Sequence, residues 1–410
     1  MTFAALHRRI ETAFFRQGWL LPALLPLTEL GGRGLYNTLI AVYGVWGLVS
    51  LWSRRRRLDR AVTAGYLLLL GALLAGIPGA ASPEEGWRLW PGFLASSVSL
   101  MLVQAALGES PEAPDRLLRA VALAGGFTLL GLYGLALYHG LELSGRPFEP
   151  ERQLQEDNLP FLLPFLLAWI WRRAGDPRRR YRDMSVAVAL VLIYIVLAEG
   201  RAALVGLLVG LIAFGKLVLN WRWRWIGALA AAVLATAIVF NPEPFRKMNL
   251  DPARPLDAFS AGRTALWRQA LAQPPQRPWL GVGLGNGHSA AEILRFQLNG
   301  QSIQVHHLHN FLLEAWYETG LLGVGALLAL IGAVLGRVAR CWQRWSLPDR
   351  ERAGVLLAAA LAVMGSALFS FSYTSRHFGY LFLCLGALAH LTGQATTGDA
   401  EPTSYDLVSR

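Results

Sequence analysis

The 410-residue chain is 54% hydrophobic and only 16% charged, with mean hydropathy +0.38 and 15 tryptophans, against about 25% charged residues in an average soluble domain; this argues against a soluble enzyme and for a polytopic membrane protein. The net charge of +11 rests almost wholly on arginine, lysine occurring only at Lys216 and Lys247, and the arginines flank apolar segments instead of forming one basic face, which argues against a nucleic-acid partner. The two cysteines, Cys341 and Cys384, lie at the end of one apolar segment and inside another, a pattern that implies neither a disulfide framework nor a thiolate metal site.

The N-terminal stretch MTFAALHRRIETAFFRQGW is basic, and no small-residue cleavage site follows the first apolar run; it reads as an uncleaved start-transfer helix. Segments apolar enough to span a bilayer, each near the 20 residues such a helix needs, fall at 14 to 30, 35 to 52, 61 to 78, 89 to 107, 117 to 138, 159 to 172, 184 to 199, 202 to 218, 224 to 240, 310 to 336, 353 to 371 and 376 to 393. The first and sixth are short and carry Pro22, Pro26 and Pro164. With the N-terminus inside, the inner segments hold 25 Lys and Arg, the short outer loops 6 and the long segment 241 to 308 the other 7. Long translocated segments largely escape the positive-inside rule, so 25 against 6 is the contrast that orients the chain. The expected fold is an all-α polytopic membrane protein of about 12 transmembrane helices with one large helical extracytoplasmic loop. Nine helices occupy 1–240, the loop 241–308 and three further helices 309–393, and 394–410 forms a disordered cytoplasmic tail.

The loop opens with Pro-rich stretches, NPEPF and DPARP. Ser260 is placed to cap a helix near 261 to 272, with Leu266, Trp267 and Ala270 on one side. Pro278 ends that region, GVGLGNG (281 to 287) forms a flexible turn, and Ser289 to Leu298 reads as a second short helix. The whole resembles a helical lid on the outer membrane face.

Where this loop becomes apolar helix stands a histidine cluster, His306, His307 and His309. His309 at a helix start faces the positive end of the dipole, which favours neutral imidazole, and a neutral imidazole can accept a proton as general base. Asn310 beside it can orient a sugar hydroxyl or the ring. A helix-capping histidine is the plain alternative, and zinc on the three histidines another; no cysteine is near and acidic partners (Glu314, Glu292) are sparse, so no metal is expected. Arg201, in LAEGRAALVG, sits between apolar segments, where ionisable groups usually face the bundle interior or a polar cavity, unless it snorkels beside Glu199. Arg263 and Arg268 lie on the lid helix, Arg263 in its first turn, where backbone amides also attract anions; guanidinium forks with helix-end amides suit a diphosphate, and lipid headgroups are the alternative. GVGLGNG follows no strand and lies outside the cell, so it is not a dinucleotide loop; close backbone packing or lid flexibility accounts for it. The acidic loop 141 to 158 reads as solvated, with sugar contact the alternative. Tyr373, Arg376 and His377 in the last outer loop either line the same cavity or form an aromatic belt with a capping arginine.

His309-Asn310, nine residues, then Gly320-Leu-Leu-Gly323 resembles the His-Asn-x9-Gly-x-x-Gly motif of the O-antigen ligase and O-antigen polymerase superfamily. The order of features is similar too: an outer-loop arginine (Arg201), a large outer loop with Ser260, Arg263 and Trp267 in a Ser-x-x-Arg…Trp-like spacing one residue tighter than the family's, a Gly-rich turn, then the histidine motif. The motifs cover 200 to 323. The resemblance implies an inverting glycosyltransferase of the C-type fold that takes undecaprenyl-diphosphate-linked O-antigen as donor without metal or nucleotide cofactor. It implies His309 as base on an acceptor hydroxyl, and Arg201 and Arg263 on the diphosphate; by their place in the sequence Arg268 is a further candidate for the diphosphate, and Asn310, His306, Arg376 and Tyr373 are candidates to support the acceptor. Ligation to the lipid A core oligosaccharide on the periplasmic face of the inner membrane is the expected activity, by a monomer among membrane lipids. The rivals are an O-antigen polymerase, a ligase acting on protein, and a lipid-linked-oligosaccharide transporter. A transporter predicts ionisable residues at mid-membrane on several helices, whereas here they gather at the outer boundary.

Overall fold

The computed structural model describes residues 17–27 and 58–397, apart from 143–155, 199, 241–259, 261–262, 288–294, 299–300 and 305–306, with isolated residues before 58. Helix α1 (Leu20–Leu24) runs into a 3-10 turn, Leu25–Leu27, and the predicted spans at 14 to 30 and 35 to 52 otherwise lie largely outside the described residues. The helices that follow are α2 (Arg60–Gly76), α3 (Pro83–Ser97), α4 (Ser99–Leu107), α5 (Ala113–Glu142), α6 (Leu159–Arg173), α7 (Pro177–Leu197), α8 (Arg201–Leu217) and α9 (Trp223–Phe240). The short α10 (Arg263–Ala272) precedes a hairpin of β1 (Arg295–Leu298) and β2 (Gln301–Gln304), and α11 (Phe311–Cys341), α12 (Leu347–Ala367) and α13 (Gly379–Thr397) complete the fold. Side-chain caps set several starts: Asp59 accepts from the Val62 amide at 3.0 Å, Asp176 from Arg179 at 3.0 Å ahead of Pro177, and Ser346 from Asp349 at 3.4 Å.

Among the described residues three helical stretches are long and apolar enough to cross a membrane: Pro83–Leu107, Ala113–Tyr138 and Phe311–Cys341. The other predicted spans from 61 onward also coincide with helices, but shorter or more polar ones. Two expectations need correction. The all-α reading meets one exception among the described residues, the antiparallel hairpin, in which Arg295 pairs with Gln304 and Leu298 with Gln301. Residues 295 to 298, predicted as the end of a second short helix, are therefore strand; 289 to 294 lie outside the described residues. Helix α13 also continues to Thr397, past the tail boundary drawn at 394.

Small residues govern the closest packing. A Cβ on Gly206 or Gly210 of α8 would meet Ala362 of α12, and one on Gly206 would also meet Pro160 of α6 at 3.2 Å. Glycines four apart facing Ala358, Ala362 and Ser366, also four apart, let two backbones approach closely, as helices do when apolar surround removes the hydrophobic drive between them. This contact locks α6, α8 and α12 together. As a result the start of α6, the start of α8 and the end of α12 lie at one end of the bundle.

Helix α11 is broken. Gly320 has φ 63° and ψ −164°, so it cannot continue the helix. In an unbroken helix the amides of Leu321 and Leu322 would donate to the carbonyls of Tyr317 and Glu318. Instead Leu321 donates to Pro278 O at 2.9 Å and Leu322 to Trp279 O at 3.2 Å, while the Tyr317 and Glu318 carbonyls accept from Val282 (3.0 Å) and Gly283 (2.8 Å). The Gly-rich turn is thus inserted into the helix ladder, and these four released backbone groups all find partners, as a buried backbone requires. Gly281, at φ 67°, permits the approach, since a Cβ there would strike the backbone between Glu318 and Thr319. Of the two sequence accounts for these glycines, close backbone packing is the one observed.

Candidate active site

Asn310 is the N-cap of α11. Its Oδ1 accepts from the amides of Leu312 and Leu313, each at 3.0 Å, so that oxygen serves the backbone and is not open to a sugar hydroxyl. His309 stands one residue before the cap, at φ 52°, a left-handed conformation costing a non-glycine residue roughly 1 kcal/mol. The strain turns its ring toward the segment after α12, where Nδ1 lies 3.0 Å from the carbonyl oxygen of Ser370. A carbonyl only accepts, so Nδ1 carries the proton and Nε2 keeps its lone pair. The bond fixes the tautomer of the neutral ring, while by itself it raises the pKa; the neutral form is favoured by other causes.

Burial, then the neighbouring His307 and the charge of Arg263, push the His309 pKa down to about 3. Enclosure is the largest of these causes, ahead of the neighbouring charges. The His307 ring lies 3.9 Å from that of His309, centroid to centroid, whereas His306 lies outside the described residues. Among the described residues no three His, Cys, Asp or Glu side chains converge as a metal site.

The lid helix fixes this loop. The Ser260 hydroxyl accepts from the Thr264 amide at 3.1 Å, and Leu266 and Ala270 are buried with Leu308 and Tyr317. Trp267 Nε1 donates to the Leu308 carbonyl at 2.8 Å, which holds the residue before His309. On the same helix Arg263 feels Arg201, at the start of α8, and Asp157, just before α6; burial and Arg201 lower its pKa while Asp157 opposes them. Asp157 accepts from the Ser370 hydroxyl at 2.8 Å, and burial holds its carboxyl above the ordinary carboxylate value, against the pull of Ser370 and Arg263. Arg201, Arg263, His309, Asp157 and Ser370 therefore form one electrostatic group. The N-termini of α6, α8 and α11, each the positive end of a helix dipole, bracket it.

The remaining predicted residues have other surroundings. Arg268 is exposed on α10, on the side away from Leu266 and Ala270. Tyr373 is buried at 2% exposure, its hydroxyl donating to Glu318 at 2.8 Å and its ring edge-on to Phe93; it braces the helix break instead of lining a cavity. Arg376 opens a 3-10 turn, Arg376–Phe378, and its charge acts on His377, whose Nδ1 bonds Asn158 Oδ1 at 2.6 Å. Gly320 makes the break, and a Cβ on Gly323 would run into the Thr319 side chain one turn earlier. Sequence reasoning missed Asp157, read as part of a solvated loop, and Glu318, which accepts from Tyr373 and, at 3.3 Å, from the Gly287 amide. The Glu318 signal was present: an acid inside an apolar helix needs partners or a role.

Linkage gives a direct test of the site's enclosure. His309 titrates near 6.5 when unfolded and near 3 when folded. The unfolded chain therefore binds more protons between those values, and stability is lost as pH falls through that window. Lowering the pH from 6.5 to 5 is expected to cost about 2 kcal/mol from this group alone. The decline in thermal midpoint over that range should shrink in His309→Asn, because asparagine tolerates positive φ and does not titrate; equal declines in both proteins would contradict the buried, neutral ring.

Residues 186–328 match the family model described as O-Antigen ligase, a span holding Arg201, Arg263, His309, Gly320 and Gly323. No curated protein matches the chain significantly. That match, with the motif residues it contains, supports a member of the O-antigen ligase/polymerase superfamily.

Proposed function

We propose that the protein is an O-antigen ligase, transferring glycan from undecaprenyl diphosphate to the lipid A core oligosaccharide by a single inverting displacement. The observation that carries this reading is the tethered His309 ring, with Nε2 left as an acceptor, in one group with Arg263 and Arg201. His309 Nε2 takes the proton of an acceptor hydroxyl as that oxygen attacks the anomeric carbon. The bond from that carbon to the diphosphate oxygen breaks on the opposite face, and the departing diphosphate keeps the electron pair. Arg201 and Arg263 then meet a charge that grows as the bond lengthens, so they favour the transition state over the ground state. An arriving diphosphate also offsets the cation that depresses His309, which makes the ring a stronger base once donor is bound. Two cations beside three helix N-termini suit a dianionic leaving group.

Twelve spans, cytoplasmic termini and a periplasmic site complete this reading, supported by the arginine distribution and by α6, α8 and α11 starting, and α12 ending, on the same side. The supporting experiment is transfer by purified protein in chelator, with a polyprenyl-diphosphate glycan and lipid A core as substrates. Labelled core should form, and Arg263→Ala should lower kcat by about 10²–10³, taking removal of one charge-stabilising donor as the guide. Longer glycans on the lipid carrier with no labelled core would make the protein the polymerase. Transfer unchanged in Arg263→Ala would remove the arginine from the mechanism.

A further inference from the structure

At the other end of α6, some 15 residues from Asp157 and so about 22 Å along the helix, lies a cavity of about 620 Å³. It opens between α5 and α6. Leu118, Phe165 and Ala168, all nearly inaccessible to solvent, supply an apolar wall that Leu123 and Trp169 extend. Asp115, Arg119, Arg172 and Arg173 supply its charges.

Those charges do not cancel. Asp115 is bound at once by Arg172 and Arg352, while Arg172 also pairs with Glu351 at 2.7 Å and Arg352 with Asp349 at 2.7 Å. The acids here are thus consumed by a closed network that holds α5, α6 and α12 together. Arg119 has no carboxylate within ion-pair distance among the described residues, and Arg173 only lies over the Trp169 ring, 5.1 Å from its centroid. Two exposed guanidiniums beside a deep apolar wall make an amphipathic site, one that neither a sugar nor a fully apolar molecule would satisfy. The volume lies within the range of sites that enclose small molecules, and basic pockets between membrane helices suit anionic lipid headgroups.

We propose that this cavity binds an anionic glycerophospholipid of the surrounding bilayer, with its phosphate on Arg119 and Arg173 and an acyl chain along Leu118, Leu123 and Phe165. The site is separate from the His309 group and does not depend on the reaction assigned there. By the arginine distribution it faces the cytoplasmic leaflet.

Native mass spectrometry of the full-length protein in detergent, titrated with phosphatidylglycerol, phosphatidylcholine or inorganic phosphate, tests it. Phosphatidylglycerol should be retained in preference to phosphatidylcholine, with no adduct from phosphate alone. The double substitution Arg119→Gln, Arg173→Gln should weaken retention about 25-fold, at roughly fivefold per cation facing an anionic lipid. Arg119→Gln alone, on an exposed side chain outside the ion-pair network, should weaken it about fivefold with the thermal midpoint unchanged, which separates loss of binding from loss of fold. Leu123→Trp, which narrows the apolar wall with the cations intact, should also reduce retention. Equal retention of the two lipids, unchanged retention in the arginine variants, or an equally strong phosphate adduct would overturn the proposal.

Discussion

Replacing His309 with alanine is expected to lower transfer about 10²–10⁴-fold, the range over which a positioned general base acts, with binding of the donor little changed. The Ser370 carbonyl accepts a hydrogen bond from Nδ1–H and leaves Nε2 as the only basic nitrogen. His309→Asn sharpens the test because asparagine accepts the φ of 52° found there and offers no comparable base. Steady-state transfer measured for both variants, with thermal midpoints as the folding check, decides the matter: activity within tenfold of wild type in the asparagine variant would reduce the histidine to a positioning role. The pH profile adds a second readout. Because kcat/KM reports the free enzyme and the free ring titrates near 3, an acid limb from His309 is expected below pH 5, whereas an unperturbed histidine would place it near 6.5.

Gly320→Ala is expected to be the most damaging single substitution outside the reacting groups. At φ 63° and ψ −164° the residue occupies a region essentially reserved for glycine, and an added Cβ would press on the Trp279 carbonyl carbon and lie 2.5 Å from the Leu280 amide nitrogen. Both neighbours are backbone and cannot swing aside. Strain of about 1–3 kcal/mol and overpacking of a similar size together place the cost at roughly 2–6 kcal/mol, a large part of the stability of a typical domain. At Gly323 the obstruction is the Thr319 side chain, which can change rotamer, so Gly323→Ala should cost distinctly less. Thermal unfolding in detergent distinguishes the two; equal losses would mean that the motif glycines matter for something other than the helix break.

How far the sequence disclosed this depends on how local each signal is. Helix positions from residue 61 on follow from apolar runs and caps, and they agree because each run carries its own starts and stops, as at Asp59, Asp176 and Ser346. The expectation that Arg201, Arg263 and His309 serve one site rests on each standing where polar loop meets apolar helix. The hairpin was missed although its cue was present. Asn299-Gly300 between two four-residue runs is a hairpin signature, but a helical reading of 289 to 298 stopped one residue short of it. The break in α11 was not legible, since apolar periodicity runs through Gly320 unchanged and the cause lies some 40 residues earlier, in the turn that enters the ladder. Asp157 was passed over for a similar reason: in sequence it belongs to an acidic loop, and only the packing of α6 against α8 and α12 brings it beside Ser370 and Arg263.

The inserted turn also bears on the order in which the chain assembles. Until residues 278–283 arrive, nothing but water or its own backbone can satisfy the amides of Leu321 and Leu322 and the carbonyls of Tyr317 and Glu318, and in an apolar surround the helix would close on itself as one uninterrupted rod. That rod is a competing state in which Gly281 and Gly283 have no seat, so wherever it closes first the turn has to displace the helix's own hydrogen bonds. A segment made early joins one made later. The nascent chain is therefore expected to pass through a late intermediate with all its helices in place and its reaction centre not yet built.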